Sequence, residues 1–311
     1  MLWVPYRKVN SIQNQVNSIQ NQNNSIQDQV SSIQDQNDSV RDQVNSVQNQ
    51  NNNIQKQVSS IQNQLDNMPQ IIFSLIQKKF YFKHEGFCPI CEKNTTFVSE
   101  NVWLRDFFFC TNCGSVPRQR ALMLVIEKYY PNWRNMIIHE SSPTIVAITE
   151  KFKSINNGRG GYITSQYYPE KELGIMVNGY RNENLEMQTF EDEIFDIVIT
   201  QDVFEHLYNP EKAFIEIART LKHGGAHIFT VPIINKFNKT EQWAKADSNG
   251  NPIFLKSEER HVSFPVTFHY GFDIINLIKE HSGLDTIIES LYNLNYGIWA
   301  EYNEVFICKK E

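Results

Sequence analysis

The sequence lacks three features that would assign it to common classes of protein. No stretch of its 311 residues approaches the ~18 consecutive apolar residues that a membrane-spanning helix needs. The opening residues, MLWVPYRK, are too short and too polar for an export signal, so we expect a cytoplasmic protein. An excess of basic residues is also missing, since the net charge is −6, and we therefore expect no nucleic-acid partner.

Aromatic residues are nearly absent from residues 1–68, which contain only Trp3 and Tyr6 and are rich in Gln, Asn and Ser. Within this part, Ile or Val recurs every seven residues, at Ile12, Ile19, Ile26, Ile33, Val40, Val47, Ile54 and Ile61. A second series follows four residues after each of these, at Val16, Asn23, Val30, Asn37, Val44, Asn51, Val58 and Leu65. The 4–3 spacing is a heptad repeat with the first series at d and the second at a.

The heptad repeat predicts a long parallel coiled coil in residues 1–68, with its seam over 11–66. Because β-branched residues occupy both a and d, we expect three chains in preference to two. The alternating Asn layers would fix register and parallel orientation. At ~1.5 Å per residue the rod would be about 80–85 Å long. A disordered Asn/Gln-rich tail is the alternative, but it does not explain eight heptads in phase.

The first eight residues combine an apolar-aromatic patch with the basic residues Arg7 and Lys8. This pattern favours docking of the N-terminus onto a membrane surface or a protein partner. At the other end of the repeat, Pro69 is expected to end the rod. QIIFSLIQKKFYF would then form a short connector helix in a segment, 69–130, that also holds the cysteine pairs.

Four of the five cysteines form two C-x2-C pairs separated by 18 residues, and they are Cys88, Cys91, Cys110 and Cys113. This is the spacing of a structural Zn²⁺ ribbon, in which four thiolates complete a tetrahedron and leave no position for water. Two disulfides are the alternative, which a cytoplasmic location disfavours. Cys308 lies in the alternating segment EVFICKK and is interpreted as an inert core thiol. Arg118 and Arg120 leave a nucleic-acid-binding ribbon open, although RQRALMLVIEKYY is more simply an amphipathic helix.

From about residue 131 to residue 311, short apolar strands alternate with helical patterns. This alternation indicates an α/β domain whose parallel sheet is covered on both faces. FDIVITQ followed by NPEKAFIEIARTL is one such strand and helix. The last two strands, TIIESLY and EVFICKK, are separated by about 11 residues without a helical pattern, so we expect them to pair antiparallel. The pattern suits a seven-stranded sheet with a reversed last strand.

The segment FEDEIFDIVITQDVFEHLYNPEKAFIEIARTLKHGGAHIFTVP, residues 190–232, resembles the central segment of class I S-adenosylmethionine-dependent methyltransferases. In that family the pair Phe195-Asp196 opens strand four, and a turn like Leu221–Gly225 precedes strand five. The cysteine ribbon followed by PNWRNMIIHESSP and ENLEMQTF is similar to a bacterial subgroup of these enzymes. The resemblance covers residues 87–311 and implies a Rossmann-like seven-stranded sheet with S-adenosylmethionine as cofactor.

The loop after the first strand of this domain, HESSPT, has no glycine, although the family has a glycine-rich loop there. The resemblance implies that Glu140 accepts a hydrogen bond from the cofactor ammonium group, directly or through water. It also implies that Ser141 and Ser142 bind the cofactor carboxylate at the start of a helix near Pro143. The alternative is a loop that has lost cofactor binding, in a domain that serves as a scaffold.

Further cofactor contacts are implied at the ends of the next strands. Strand two lacks the acidic residue with which the family binds the ribose hydroxyls, so Ser165 or Gln166 would serve there. The loop ENLEMQTF matches the family's adenine loop, which makes Asn184 the partner of the exocyclic amine and Leu185 the cover of a ring face. Gln201, at the end of strand four, completes the predicted cofactor site.

The residues after Gln201 are the candidates for catalysis. If a helical turn begins there, Asp202, Glu205 and His206 share one face at i, i+3 and i+4. Methyl transfer to oxygen or nitrogen requires a base, and histidine suits that role at neutral pH, so His206 with Asp202 forms the predicted catalytic pair. Some relatives that act on hydroxyls bind a metal with such residues, and a purely structural role is the remaining alternative.

The polar stretch from Asn235 to Tyr270 is too long for a simple connection and predicts a substrate lid at about residues 233–271. Its Trp, Tyr, Asn and His residues suit a sugar or another polar small-molecule or glycan acceptor. His261 and His269 are candidates for substrate binding, although lone histidines are more often ordinary polar residues. The sequence as a whole predicts a methyltransferase that acts on a hydroxyl, and a non-catalytic oligomeric scaffold with a degenerate methyltransferase fold is the alternative.

The coiled-coil prediction is tested by the mass of the particle in solution. Light scattering of the full chain should give a mass near three times 36.4 kDa. Removal of the residues before Pro69 should give a monomer, because the a/d seam is then lost. A monomeric full-length chain would contradict the coiled coil.

Overall fold

The computed structural model describes part of residues 14–59, followed by residues 80–143, 147–155, 161–261 and 264–311. The chain divides into two compact units, Met1–Ser74 and Leu75–Glu311. In the first unit the described residues are helical. Their apolar a and d side chains are 42–62% exposed, and these are Val16, Val40, Val44, Val47, Ile54 and Val58. The single chain therefore carries an uncovered apolar stripe, while most of the predicted connector, up to residue 79, lies outside the described residues.

The described part of the second unit contains strands, α-helices and short 3₁₀ turns. The strands are β1 Phe82–Cys88, β2 Lys93–Ser99, β3 Phe109–Cys110, β4 Ile138–Ser141, β5 Tyr162–Gln166, β6 Met176–Val177, β7 Tyr180–Asn182, β8 Phe195–Gln201, β9 Leu221–Thr230, β10 Glu241–Gln242, β11 Ala244–Ala246, β12 Pro252–Phe254, β13 Arg260–His261, β14 Phe264–Pro265, β15 Phe268–His269, β16 Asp285–Ser290 and β17 Glu304–Lys309. The helices are α1 Leu104–Phe107, α2 Pro117–Tyr129, α3 Ala147–Ile155, α4 Pro210–Thr220 and α5 Ile274–Ser282. No described helix is long and apolar enough to span a bilayer.

The cysteine-rich segment folds as a small antiparallel sheet in the order β1–β2–β3. The first C-x2-C pair begins at Cys88, the last residue of β1, and the second begins at Cys110, the last residue of β3. Both strands are antiparallel to β2, which lies between them, so the two turns lie at the same edge of this sheet. Of the predicted short helix or connector QIIFSLIQKKFYF, the described residues 80–82 are not helical, since residues 80 and 81 precede β1 and Phe82 begins it. Helix α2, predicted from RQRALMLVIEKYY, begins at Pro117, where the missing N–H of proline costs no hydrogen bond.

The larger sheet has the order β16–β17–β9–β8–β4–β5–β7–β6, which is eight strands within the described residues. The predicted count of seven is therefore corrected, because the short hairpin β6–β7 adds a strand at one edge. Strands β9, β8, β4 and β5 are mutually parallel. Strand β17 is antiparallel to both β9 and β16, which confirms the reversed last strand. The sheet is therefore mixed, with a parallel centre and antiparallel edges.

The two faces of this sheet are covered by different helices. Ile197 and Ile199 of β8 face one apolar cluster, which includes residues of α2 and of the cysteine-rich sheet. Val198, between them, faces a second cluster formed with α4 and α5. This two-residue alternation follows from the pleat of a strand. Cys308 is fully buried in the second cluster, and burial raises the pKa of its thiol to about 12, which agrees with an inert core thiol.

The glycines of LKHGG belong to the irregular start of β9, where the sequence predicted a separate turn. Gly224 has φ = +79°, a backbone conformation that favours glycine. A Cβ on Gly225 would lie 2.8 Å from the carbonyl oxygen of Asp196, so this position also excludes a side chain. The two glycines therefore let β9 begin directly beside the start of β8.

Arg120 joins the cysteine-rich sheet to the larger one and is fully buried. It donates to the carbonyl oxygens of Ser115, Phe108 (2.8 Å) and Gly297 (2.6 Å). Its guanidinium also lies 4.5 Å from the ring centroid of Phe97. Burial lowers the pKa of Arg120 to about 10, which leaves it charged at neutral pH. Arg120 is therefore a structural cation and not part of a nucleic-acid surface.

The predicted lid region folds into three short antiparallel pairs, β10–β15, β11–β12 and β13–β14. It is fastened to the turn after β8 by Thr267, whose N–H and Oγ1 donate to the Glu205 carbonyl at 2.7 and 2.9 Å. The hydroxyl of Tyr270 donates to the Phe204 carbonyl at 3.1 Å. The segment therefore lies against the residues that the sequence assigned to catalysis.

Replacement of Arg120 tests the connection between the two sheets. Arg120→Ala leaves three buried carbonyl oxygens without their donor, each at a cost of about 1–3 kcal/mol. We expect the free energy of unfolding from urea titration to fall by at least about 3 kcal/mol. Arg134→Ala removes a guanidinium from the surface and serves as the control, with a change below about 1 kcal/mol. Equal stability of Arg120→Ala and the unaltered chain would contradict this role.

Candidate functional site

The larger sheet has a topological switch point at β4. From β4 the chain passes to β5 on one side and later returns to β8 on the other, and all three strands are parallel. Open α/β sheets bind their ligands in the crevice outside the carboxyl ends of strands at such a point. Ser141, Gln166 and Gln201 are the last residues of β4, β5 and β8. The fold therefore brings these three predicted cofactor residues to one edge.

Glu140 lies in β4 and is fully buried. Its carboxylate accepts hydrogen bonds from Thr149 (3.1 and 3.2 Å), from Gln201 Nε2 (2.6 Å) and from the Tyr162 hydroxyl. Burial raises the pKa of Glu140, and these hydrogen bonds oppose that rise. The carboxylate therefore already has several protein donors, and its contact with a cofactor ammonium, directly or through water, stays a prediction.

Gln201 offers an acceptor in place of Glu140. Its Nε2 donates to Glu140, and its Oε1 is buried without a hydrogen-bond partner among the described residues. A buried amide oxygen of this kind is unfavourable unless a donor reaches it. Glu140 therefore orients the Gln201 amide, and the Oε1 atom at the end of β8 is the available acceptor for an ammonium group.

The loop without glycine takes a conformation that glycine usually supplies. Ser142 has φ = +54°, and its N–H donates to the Ser165 carbonyl at 2.8 Å. This left-handed conformation is uncommon for serine, so the surrounding structure must hold it. Ser141 is buried, and Ser142 is partly exposed. Residues 144–146 lie outside the described part, so the predicted helix start near Pro143 is not described, and α3 is described from Ala147.

The adenine-loop candidates lie in a compact turn after β7. Asn184 Oδ1 accepts from the N–H of Glu186 at 2.9 Å, and Leu185 is buried in the second apolar cluster with Phe190. Gln166 Oε1 accepts from the Tyr168 hydroxyl at 3.3 Å. These contacts show how the loop is held, while the cofactor roles of Asn184, Leu185 and Gln166 stay predictions.

Asp202 is held by two arginines that the sequence analysis did not connect with it. Arg105 donates to both carboxylate oxygens at 2.7 Å, and Arg118 lies 3.1 Å away. Burial alone would raise the pKa of Asp202, but the two guanidinium groups outweigh it and keep the pKa well below its usual range. Asp202 also has φ = +52°. A carboxylate fixed in this way positions the strand end, and it has no capacity to accept a proton near neutral pH.

The predicted helical turn after β8 is a 3₁₀ turn over Phe204–His206. Glu205 is buried, and neither carboxylate oxygen has a hydrogen-bond partner among the described residues. Burial and the charge of Asp202 raise the pKa of Glu205 to about 8. Two carboxylates therefore lie close together here. Asp202 is paired with arginines, and Glu205 has no partner among the described residues.

His206 has a defined tautomer. Its Nδ1 lies 2.8 Å from the carbonyl oxygen of Pro265, and because a carbonyl can only accept, Nδ1 carries the proton. Burial lowers the pKa of His206, which keeps the ring neutral at pH 7. Nε2 therefore retains its lone pair. The ring of His261 from β13 lies 5.2 Å away, centroid to centroid, so the lid and the turn bring two histidines together.

The four cysteines of the ribbon converge as the sequence predicted. Sγ–Sγ distances are 3.7 Å for Cys88–Cys113 and 3.9 Å for Cys91–Cys110, and none of the described cysteines forms a disulfide. Four thiolates on a tetrahedral zinc ion with Zn–S bonds near 2.3 Å are about 3.8 Å apart. Ser115 Oγ lies 3.4 Å from Cys88 Sγ and 3.3 Å from Cys113 Sγ, within reach of both thiolates. The donor set therefore fits a tetrahedral metal ion.

Comparison with known proteins matches one part of the chain. Residues 163–229 match the model of a methyltransferase domain family. No curated protein sequence matches the chain significantly.

Among solved structures, the chain resembles S-adenosylmethionine-dependent methyltransferases from three organisms. The Mesorhizobium loti protein is 12% identical with a TM-score of 0.40, over 60% of this chain and 96% of that one. The Clostridium acetobutylicum protein is 13% identical with a TM-score of 0.39, over 63% and 92%. The Aquifex aeolicus protein is 13% identical with a TM-score of 0.38, over 60% and 87%. Values this low do not identify a substrate.

The thiolate cluster is tested by elemental analysis. The purified chain should contain about one zinc ion, and Cys91→Ser should lose it, together with soluble yield, because a small ribbon depends on its metal for folding. Cys308→Ser changes a thiol outside the cluster and should keep the zinc. Metal-free protein with all four ribbon thiols oxidised would rule the site out.

Proposed function

We propose that the chain is an S-adenosylmethionine-dependent methyltransferase that acts on a hydroxyl of a sugar or another polar acceptor. The observation that carries this proposal is the switch point of the sheet, because open α/β sheets bind their ligands outside the carboxyl ends of strands at such a point. There the left-handed Ser142 loop and the unpaired Oε1 of Gln201 lie at the carboxyl ends of β4 and β8. Gln201 and β8 lie within the segment 163–229 that matches a methyltransferase domain, whereas β4 and Ser142 precede it.

The proposed reaction is an in-line displacement. The acceptor oxygen forms a bond with the methyl carbon while the bond from that carbon to sulfur breaks, and the electron pair of the broken bond stays on sulfur. The sulfonium becomes a neutral thioether, and the acceptor oxygen loses its proton. The protein supplies position and a receiver for the proton, and positioning alone can contribute a large part of the rate.

The acceptor side of the site is assigned to the turn and the lid. The neutral His206 has an anchored Nδ1 and a lone pair on Nε2, so it can receive a proton or bind a cation. Half-exposed His261 lies beside it on the lid. Trp243 stacks on His269 at 3.9 Å between centroids and stiffens the same segment. A polar, partly aromatic lid of this kind supports a hydroxylated acceptor.

The coiled coil is proposed to hold three chains together. The described helical residues of the N-terminal unit expose the a and d side chains Val44, Val47, Ile54 and Val58, which a partner chain with the same repeat would cover. The zinc ion is proposed to be structural, because four thiolates leave it no open position. Both proposals concern assembly and are independent of the reaction.

A non-catalytic scaffold is the competing function, and a specific observation favours it. The carboxylate of Glu140, implied to receive the cofactor ammonium, is already surrounded by donors from the protein. If Gln201 does not replace it, the cofactor ammonium lacks the acceptor that the sequence assigned to it. Cofactor binding therefore separates the two functions.

Calorimetric titration of the purified chain with S-adenosylmethionine tests the proposed function. We expect saturable binding that Gln201→Ala weakens about tenfold, because a hydrogen bond to a charged group is worth about 1.5–3 kcal/mol. Lys279→Ala removes an exposed side chain of α5 and should leave the affinity unchanged. Absence of heat and of any thermal shift at millimolar cofactor would instead support the scaffold.

A further inference from the structure

The unpaired carboxylate of Glu205 requires a partner. The residue is 3% exposed, and both carboxylate oxygens lack a hydrogen-bond partner among the described residues. Arg105 and Arg118 lie close enough to attract it, but their guanidinium groups donate to the acidic residues Asp202 and Asp106. A buried carboxylate is strongly unfavourable unless a donor or a cation satisfies it. None of the described residues satisfies this carboxylate, and its position therefore indicates a bound ligand.

Two imidazoles converge on the same place. One ligand atom each from Glu205, His206 and His261 lies within 4.8 Å of the other two. Two ligand atoms on one ion with bonds near 2.1 Å are at most about 4.2 Å apart, so a small contraction brings all three onto one cation. His261 is exposed at the surface of the lid, where its Nε2 lies 3.8 Å from a carboxylate oxygen of Glu259.

The hairpin β13–β14 holds both histidines. His261 belongs to β13, and Pro265 of β14 accepts the Nδ1 proton of His206 at 2.8 Å. A histidine that donates one ring N–H to a backbone carbonyl presents the lone pair of its other nitrogen, which is the usual arrangement around a metal-binding histidine. The same short hairpin therefore supplies one ligand and orients another.

We infer that Glu205, His206 and His261 bind a divalent transition-metal cation at the acceptor side of the proposed active site. The inference about its role rests on the proposed methyl transfer, while the binding itself does not. Magnesium and calcium prefer ligand sets made of oxygen, whereas imidazole with carboxylate suits ions from manganese to zinc. Three protein ligands leave positions open, in contrast to the four thiolates of the ribbon.

The open position is where the acceptor hydroxyl would bind. A cation lowers the pKa of a coordinated hydroxyl, so the acceptor oxygen gives its proton to water and attacks the methyl carbon as an alkoxide. The carbon–sulfur bond breaks with its electron pair on sulfur, and the net products are a methyl ether, a thioether and one proton. A nitrogen that binds the cation cannot also accept a proton. His206 therefore acts here as a metal ligand and not as the base that the sequence predicted.

Manganese binding tests the site directly. The full chain, prepared with one zinc ion per chain and with no excess zinc, is titrated with Mn²⁺, and the free ion is followed by electron paramagnetic resonance. Manganese is chosen because a thiolate cluster prefers softer ions and does not compete for it. We expect about one Mn²⁺ per chain, and His261→Ala and Glu205→Gln should each weaken binding at least about tenfold. His281→Ala changes an exposed histidine on α5 and should bind as the unaltered chain does.

His261→Ala decides the outcome even if Glu205→Gln does not fold, because His261 is an exposed side chain. Absence of saturable Mn²⁺ binding, or equal binding by His261→Ala and the unaltered chain, overturns the inference. Titration with S-adenosylmethionine on the same samples separates the two proposals. Cofactor binding without Mn²⁺ binding removes only the metal site. Mn²⁺ binding without cofactor binding keeps the site and removes its role in methyl transfer.

Discussion

The bidentate ion pair between Arg105 and Asp202 is the contact on which the arrangement of the candidate site depends. Arg105 comes from α1 in the cysteine-rich segment, and Asp202 follows β8 in the larger sheet. Asp202 also accepts from Thr230 at 3.0 Å, so the pair ties α1 to the ends of two central strands. Removing one partner of a buried pair leaves an uncompensated charge, which is strongly destabilising. The turn with Glu205 and His206 begins directly after this anchor.

The cysteine-rich segment is consequently packed together with the larger sheet as one structural unit. Its apolar residues share one cluster with α2 and with the sheet residues Ile197 and Ile228. Arg120 adds three hydrogen bonds to carbonyl oxygens on both sides of this boundary. A metal ion in the thiolate cluster would hold α1 and α2 in place, and through Arg105 and Arg118 it would support the position of Asp202. Loss of the metal would therefore disturb the turn that carries Glu205 and His206 as well as the ribbon itself.

Two neighbouring carboxylates have opposite environments in this site. Arg105 and Arg118 keep the pKa of Asp202 well below its usual range although burial opposes this, whereas burial and the charge of Asp202 raise the pKa of Glu205 to about 8. Both arginines are paired with Asp202, whereas the carboxylate of Glu205 has no hydrogen-bond partner among the described residues. Pairs of titratable groups whose environments separate their pKa values commonly mark functional sites. The sequence DVFEH gives no indication of which carboxylate takes which role.

The sequence by itself determined the features that repeat or that depend on local spacing. Periodicity predicted the heptad repeat and the α/β order of elements. Local spacing predicted the cysteine cluster, and the short link before the last strand predicted that this strand is reversed. The structure describes the cysteine cluster, the α/β order and the reversed strand. The segment around Phe195 and the LKHGG glycines carried the methyltransferase resemblance. The eighth strand was missed because Met176–Val177 is too short for a periodic signal and pairs only through its hairpin.

Tertiary structure decided the roles of the polar residues. Glu140, Asp202 and His261 are single residues in the sequence, and their partners Tyr162, Arg105 and His206 lie 22, 97 and 55 positions away. Burial then decides which of these side chains is charged, which has all its hydrogen bonds and which keeps a lone pair without a partner. Neither long-range proximity nor burial has a local pattern in the sequence, because both arise only when the two sheets and the lid pack together.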